Sequence, residues 1–155
     1  MNALPNTFRD WLRVGIVVVT IGPGLAACGG DDGGDSIDVA LSEWLVTADP
    51  GSAGDGEIEF RGNNRGVETH ELVVVRAENA AALPTDDDGA VDETQFEEGV
   101  LIGEIEDIEA SSSKTVKLDL QPGSYVLFCN ITEEESDGTI ESHFQKGMHT
   151  DFEVE

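Results

Sequence analysis

From residue 37 to the end of the chain, apolar side chains recur at every second position in short runs, and turn-forming residues separate one run from the next. This pattern narrows the choice of fold more than any other feature. A period of two puts alternate side chains on opposite faces of an extended strand, and one apolar face cannot bury itself alone. Residues 37–46 carry Ile37, Val39, Leu41 and, past a slip, Leu45. Residues 57–61 alternate around Ile58 and Phe60, and residues 71–76 hold the unbroken run Leu72, Val73, Val74, Val75. Residues 100–105 alternate less cleanly, and residues 115–120 place Val116, Leu118 and Leu120 on one face. Residues 124–131 put Tyr125, Leu127 and Cys129 on one parity, and Phe152 and Val154 close the chain. Asp49-Pro50-Gly51, Gly62-Asn63-Asn64 and Pro122-Gly123 read as turns between runs. Residues 77–82 are the one candidate helical stretch, and residues 83–99 read as a long acidic surface loop. The expectation is an all-β domain, a Greek-key sandwich or barrel of about seven to eight strands.

The start of the chain follows different rules. Arg9 and Arg13 precede an apolar run over residues 14–27 that Pro23 interrupts. The run is shorter than the ~20 apolar residues a helix needs to span a bilayer. Its length and charge layout fit a secretory signal. It ends Leu25-Ala26-Ala27-Cys28, which resembles the cleavage box of bacterial lipoproteins, where the new N-terminal cysteine carries lipid. The reading divides the chain into a lipoprotein signal peptide at 1–27, a flexible tether at 28–36 and a folded domain at 37–155. Gly and Asp dominate residues 29–36, which suits a tether. The mature protein is expected outside the cell, anchored to the outer face of the membrane through Cys28.

Charge narrows the partners. Lys and Arg number 8 against 33 Asp and Glu, a formal net charge of −25. Such a surface repels nucleic acid and anionic lipid. It suits a basic protein partner, and it equally suits a salty habitat in which carboxylates keep the surface hydrated. The acidic run Thr85-Asp86-Asp87-Asp88-Gly89 lacks the alternating spacing of a calcium loop and reads as solvated. Asn130-Ile131-Thr132 forms a glycosylation sequon next to Cys129, read as coincidental.

The chemistry gathers near the C-terminus. The chain has two cysteines, Cys28 and Cys129, and lipid on Cys28 would leave Cys129 without a disulfide partner. A free thiol outside the cell oxidises unless it is buried or bound to a metal. Fourteen residues after Cys129 stands His143, and Met148 completes a His-x4-Met spacing. His70 opens the apolar run 71–75 from a distant part of the chain. A thiolate and two neutral imidazoles in a plane, with a weak axial thioether, make a blue-copper site that serves both Cu(I) and Cu(II). His149 follows Met148 directly and is expected to point away from such a site. There is no phosphate loop, zinc-type cysteine pair or Ser-His-Asp order, and three histidines are too few for the extra centres of an oxygen-reducing copper enzyme.

Residues 37–155 resemble the cupredoxins, relatives of plastocyanin, azurin and halocyanin. Asn64-x-Gly66-x3-His70 is similar to the family's first-ligand motif, Pro122-Gly123-x-Tyr125-x3-Cys129 to its cysteine strand, and His143-Phe144-x2-Gly147-Met148 to its closing loop. The resemblance implies one Cu(I)/Cu(II) ion held by His70, Cys129, His143 and Met148. It also implies one-electron transfer by a monomer to a redox protein partner, not enzymatic turnover. A copper carrier or sensor with copper as cargo, and a metal-free binding module of the same fold, stand as alternatives. Two departures bear on this. Residues 130–142 lengthen the usual short segment between Cys and His, either as a flap that loops out or as a loosened site. Glu71 stands where many members carry the Asn that braces the cysteine loop.

Overall fold

The structure is a computed structural model and describes residues 34–155. The expected signal peptide, the lipidation site Cys28 and most of the tether lie outside the described residues. Eleven strands run in chain order: β1 (Ser36–Ser42), β2 (Leu45–Asp49), β3 (Ser52–Ala53), β4 (Gly56–Asn64), β5 (His70–Arg76), β6 (Leu101–Ile108), β7 (Ser113–Leu120), β8 (Gly123–Phe128), β9 (Thr132–Glu134), β10 (Ile140–Ser142) and β11 (His149–Val154). One sheet has the order β2-β1-β4-β7 and the other β3-β11-β8-β5-β6, while β9 and β10 form a separate ribbon. The chain moves back and forth between the two sheets, with β1 parallel to β4 and β11 parallel to β3. This is the expected all-β sandwich.

Alternation sets the core. Ile37, Val39, Leu41, Ile58 and Phe60 face inward from the first sheet and meet Leu72, Val74, Tyr125, Leu127 and Phe152 from the second. Phe60 and Phe152 meet edge to face at 5.5 Å between ring centres. Each such side chain contributes about 1.5–3 kcal/mol by leaving water. The unbroken run 72–75 has a separate cause: β5 is buried on both faces. Val73 and Val75, with Val126 and Phe128 of β8, join a second apolar cluster with Leu83, Val91 and Phe144.

That second cluster corrects the reading of residues 83–99. The segment is not a solvated surface loop throughout, because Leu83, Ala90 and Val91 are buried. Within residues 77–82 only a 3-10 turn at Ala80–Ala82 forms. Gly62-Asn63-Asn64 is not a turn but the end of β4. Glycine is needed there for closeness, since a Cβ on residue 62 would stand 2.6 Å from the Ile108 Cδ1 of the facing sheet. The slip in residues 37–46 is a reversal that separates β1 from β2 and leaves Val46 buried and Leu45 exposed. Asp35 and Ser36, placed in the tether by sequence, belong to the fold: Ser36 opens β1, and the Asp35 carboxylate accepts from the Gly54 amide at 2.7 Å. The strand count exceeds seven to eight because β3, β9 and β10 are stubs of two or three residues.

Candidate metal centre

Three strand ends converge at one end of the sandwich. His70 is the first residue of β5, Cys129 follows the last residue of β8, and His143 follows the last residue of β10. All three side chains are fully buried. The His70 and His143 Nδ1 atoms lie 3.2 Å apart. The Cys129 Sγ is 3.3 Å from the His143 Nδ1 and 4.0 Å from the His70 Nδ1. Among the described residues this is the one group of His, Cys, Asp and Glu whose donor atoms all fall within 4.8 Å of one another.

Local sequence explains each placement. Asn64 pins the loop that delivers His70: its amide nitrogen donates to the carbonyls of Glu68 and Ile108, each at 2.7 Å, and its carbonyl accepts from the Gly66 amide at 2.8 Å. On the other side, Tyr125 anchors the entry to β8 by donating to the Gln121 carbonyl at 2.7 Å. Met148 is fully buried in the main core, and its backbone ties the other two C-terminal residues together. Its carbonyl accepts from the Cys129 amide and its amide donates to the His143 carbonyl, both at 3.0 Å. His149 is exposed on β11 and stacks near Phe144, as its position next to Met148 led one to expect.

The long Cys–His segment loops out and leaves the ligands together. Residues 132–134 and 140–142 pair as the β9–β10 hairpin, and the acidic tip is exposed. Its two ends are clamped. The Asn130 side chain accepts from the Val91 amide at 2.6 Å and donates to the Val91 carbonyl at 3.0 Å, while the Ser142 hydroxyl donates to the Gly89 carbonyl at 2.8 Å. The His143 amide closes the base by donating to the Ile131 carbonyl at 3.0 Å. Residues 89–91 thus hold both ends of the insertion.

Glu71 performs the bracing placed in question by the sequence. Its carboxylate accepts from the Asn130 amide at 2.9 Å, and its own amide points at the Cys129 sulfur at 3.4 Å.

The electrostatics suit a metal. Burial lowers the pKa of both histidines, and for His70 the neighbouring His143 adds to this, so both imidazoles are neutral and free to ligate. Burial pushes the Cys129 thiol up to about 11, against the pull of the Glu71 and Ile131 amides. A buried thiol beside two neutral imidazoles becomes a thiolate when a cation binds it. Two imidazole nitrogens with one thiolate fit copper, and Met148, the sequence's candidate for the weak fourth partner, is buried in the core and tied by its backbone to Cys129 and His143. Two nearby residues escaped the sequence reading. Trp44 packs edge-on against His143 at 5.3 Å, with the Lys146 ammonium 4.9 Å from its ring centre. Glu43, from the same β1–β2 turn, lies 3.5 Å from the His70 Nε2. No ligand-like spacing marks either residue, because they reach the site through a turn between other strands.

No protein-family model matches the chain, and no curated protein matches it. Solved structures do. An auracyanin from Roseiflexus castenholzii superposes with a TM-score of 0.53 at 20% identity, over 79% of this chain and 99% of that one. An azurin from Methylomonas sp. strain J gives 0.52 at 15% identity, over 78% and 98%. Auracyanin A from Chloroflexus aurantiacus, described as a "blue" copper protein, gives 0.51 at 14% identity, over 79% and 100%. The chain has the cupredoxin fold. The two departures noted in the sequence both lie at the site: residues 130–142 form the β9–β10 hairpin between Cys129 and His143, and Glu71 braces the Asn130 amide.

Burial pushes the Glu71 carboxyl up to about 7, helped by Glu93, Glu104 and Glu106 and opposed by the Asn130 amide. A carboxyl with a folded pKa above its unfolded value binds protons more tightly when folded. Its contribution is present below pH ~4.5 and is lost as pH rises towards 7. At about 1.4 kcal/mol per unit, the loss approaches 3 kcal/mol. Chemical denaturation of copper-free protein at pH 5 and pH 8 checks this. Relative to Glu71→Gln, the native protein should lose about 2–3 kcal/mol between the two pH values; equal pH dependence in both proteins would contradict it.

Proposed function

We propose that this protein is a one-electron carrier at the outer face of the cell membrane, in which His70, Cys129 and His143 would hold a single copper ion with Met148 as a weak fourth donor. The observation that carries the reading is the convergence of two Nδ1 atoms and one Sγ within 4.8 Å, fully buried, in a cupredoxin fold. Copper, when bound, supplies a one-electron couple. The protein's part is to hold the ligands still and keep water out. Ligands fixed by strand ends and backbone bonds rearrange little between oxidation states, which is what a carrier needs. The similarity to auracyanin A, described as a "blue" copper protein, supports the same reading.

Burial also weighs against copper as cargo. A site meant to hand over its ion needs an open coordination path, and here all three donors have no exposed surface. The donor set likewise weighs against a metal-free module, in which two neutral imidazoles and a thiol would face one another without purpose.

The remaining parts of the proposal rest on sequence. A lipid on Cys28 would hold the domain at the membrane by a short tether, within reach of a membrane-bound donor. The acidic balance, a formal net charge of −25 over the full chain, would steer the domain to a basic redox partner, with contact that weakens as salt screens it.

Two measurements test the proposal. Residues 29–155 loaded with copper should show an intense visible absorption that reductant bleaches and oxidant restores. Cys129→Ser should abolish the colour while far-ultraviolet circular dichroism stays unchanged; a colourless native protein after loading contradicts the copper-carrier reading. For the anchor, the full chain should fractionate with membranes and Cys28→Ser should release it to the soluble or secreted fraction. Retention of the variant in the membrane would overturn lipid anchoring at Cys28.

A further inference from the structure

Both ligand histidines turn Nδ1 towards the sulfur, so each Nε2 points the opposite way, into the protein. Neither Nε2 has a hydrogen-bond partner, although both are buried. Among the described residues, one other buried side-chain nitrogen or oxygen is left without a partner, the Glu68 Oε2. The three atoms are not scattered. Glu68 Oε2 lies 3.6 Å from the His143 Nε2, and the Glu43 Oε1 lies 3.5 Å from the His70 Nε2. Each ligand imidazole therefore has its own carboxylate on the side away from the sulfur, just beyond hydrogen-bonding distance.

The placement of these carboxylates is built in. Glu43 comes from the β1–β2 turn and crosses to the loop before β5, where its Oε1 accepts from the Val67 amide at 2.7 Å and the Glu68 amide at 3.0 Å. Gly66 makes room: a Cβ there would stand 2.6 Å from the Glu43 Oε2. The Glu68 backbone fixes Glu43 while the Glu68 side chain faces His143, so one short loop sets both pairs.

We propose that Glu43 and Glu68 are positioning residues for the copper ligands: they accept the Nε2–H protons of His70 and His143, fix both rings as the tautomer with Nδ1 free for the metal, and favour the more positive, oxidised copper. The chemistry is general. A metal-bound imidazole donates its other N–H, and a carboxylate acceptor locks the ring and raises its donor strength. Two orphaned buried nitrogens and one orphaned oxygen, each orphan costing about 1–3 kcal/mol, are satisfied by closing two gaps of under 1 Å. Removing a carboxylate's charge should therefore make copper easier to reduce.

The inference rests on the copper reading, and the experiment separates the two. Reduction potentials are measured by spectroelectrochemistry on copper-loaded native protein, Glu43→Gln, Glu68→Gln, and a control, Glu98→Gln, whose side chain is exposed. Glutamine keeps the shape and an acceptor oxygen and removes the charge. Each of the two site variants should shift the Cu(II)/Cu(I) equilibrium towards Cu(I) by tenfold or more, a rise of about 59 mV for a one-electron couple, while the control shifts it less than twofold. Glu68→Gln guards against misfolding of the other variant, because the Glu68 side chain makes no hydrogen bond of its own. Loss of the visible band in a folded site variant would also support the positioning role. Coloured, folded site variants with potentials within twofold of native would overturn it. A native protein that never colours would instead sink the copper reading itself.

Discussion

Two imidazole nitrogens 3.2 Å apart, with a thiol sulfur 3.3 Å from one of them, sit together where no water reaches. Such an arrangement has little to offer a fold by itself. The two neutral rings cannot both donate to one another, and burial keeps the thiol protonated at about 11. A soft cation resolves the conflict at once, because both lone pairs and the thiolate point at the same place. The strand ends, the pinned Asn64 loop and the backbone bonds of Met148 all serve to hold this convergence against its own cost.

The insertion between Cys129 and His143 shows how a fold absorbs added chain at its most sensitive point. Thirteen residues separate the two ligands, yet the ligands stay in contact because Asn130 and Ser142, the residues at the ends of the insertion, are both bonded to residues 89–91. Loop length then matters little, since the entropy of the hairpin is borne outside the clamp. The 83–99 segment is thus part of the site's frame. Its buried Leu83 and Val91 fasten it to the back of β5 and β8, and its backbone fastens the insertion.

Much of this was legible in the sequence, and the reasons are specific. Period-two runs located β1, β4, β7, β8 and β11, since each buries a face that alternation reveals, and the unbroken run 72–75 located β5, which is buried on both faces. The motifs around His70, Cys129 and His143 named residues that the fold brings together. What stayed hidden involved partners distant in sequence. Glycine at 62 looks like a turn until Ile108 is seen pressing on it, and residues 83–99 look solvated until Phe128 and Phe144 are seen covering Leu83 and Val91. Glu43, Glu68 and Trp44 carry no local signal, because their meaning lies in which imidazole they face. Glu71 was visible as a departure, but only its bond to the Asn130 amide shows that a carboxylate can do an amide's bracing.

The central claim is that His70, Cys129 and His143 are joined on one metal ion. X-ray absorption at the copper edge, on protein loaded with one equivalent, tests it most directly. The account predicts a near shell of one sulfur and two nitrogens, present in both the oxidised and the reduced protein with little change in distance. A shell of nitrogen and oxygen alone, or one in which the sulfur is lost on oxidation, would contradict it.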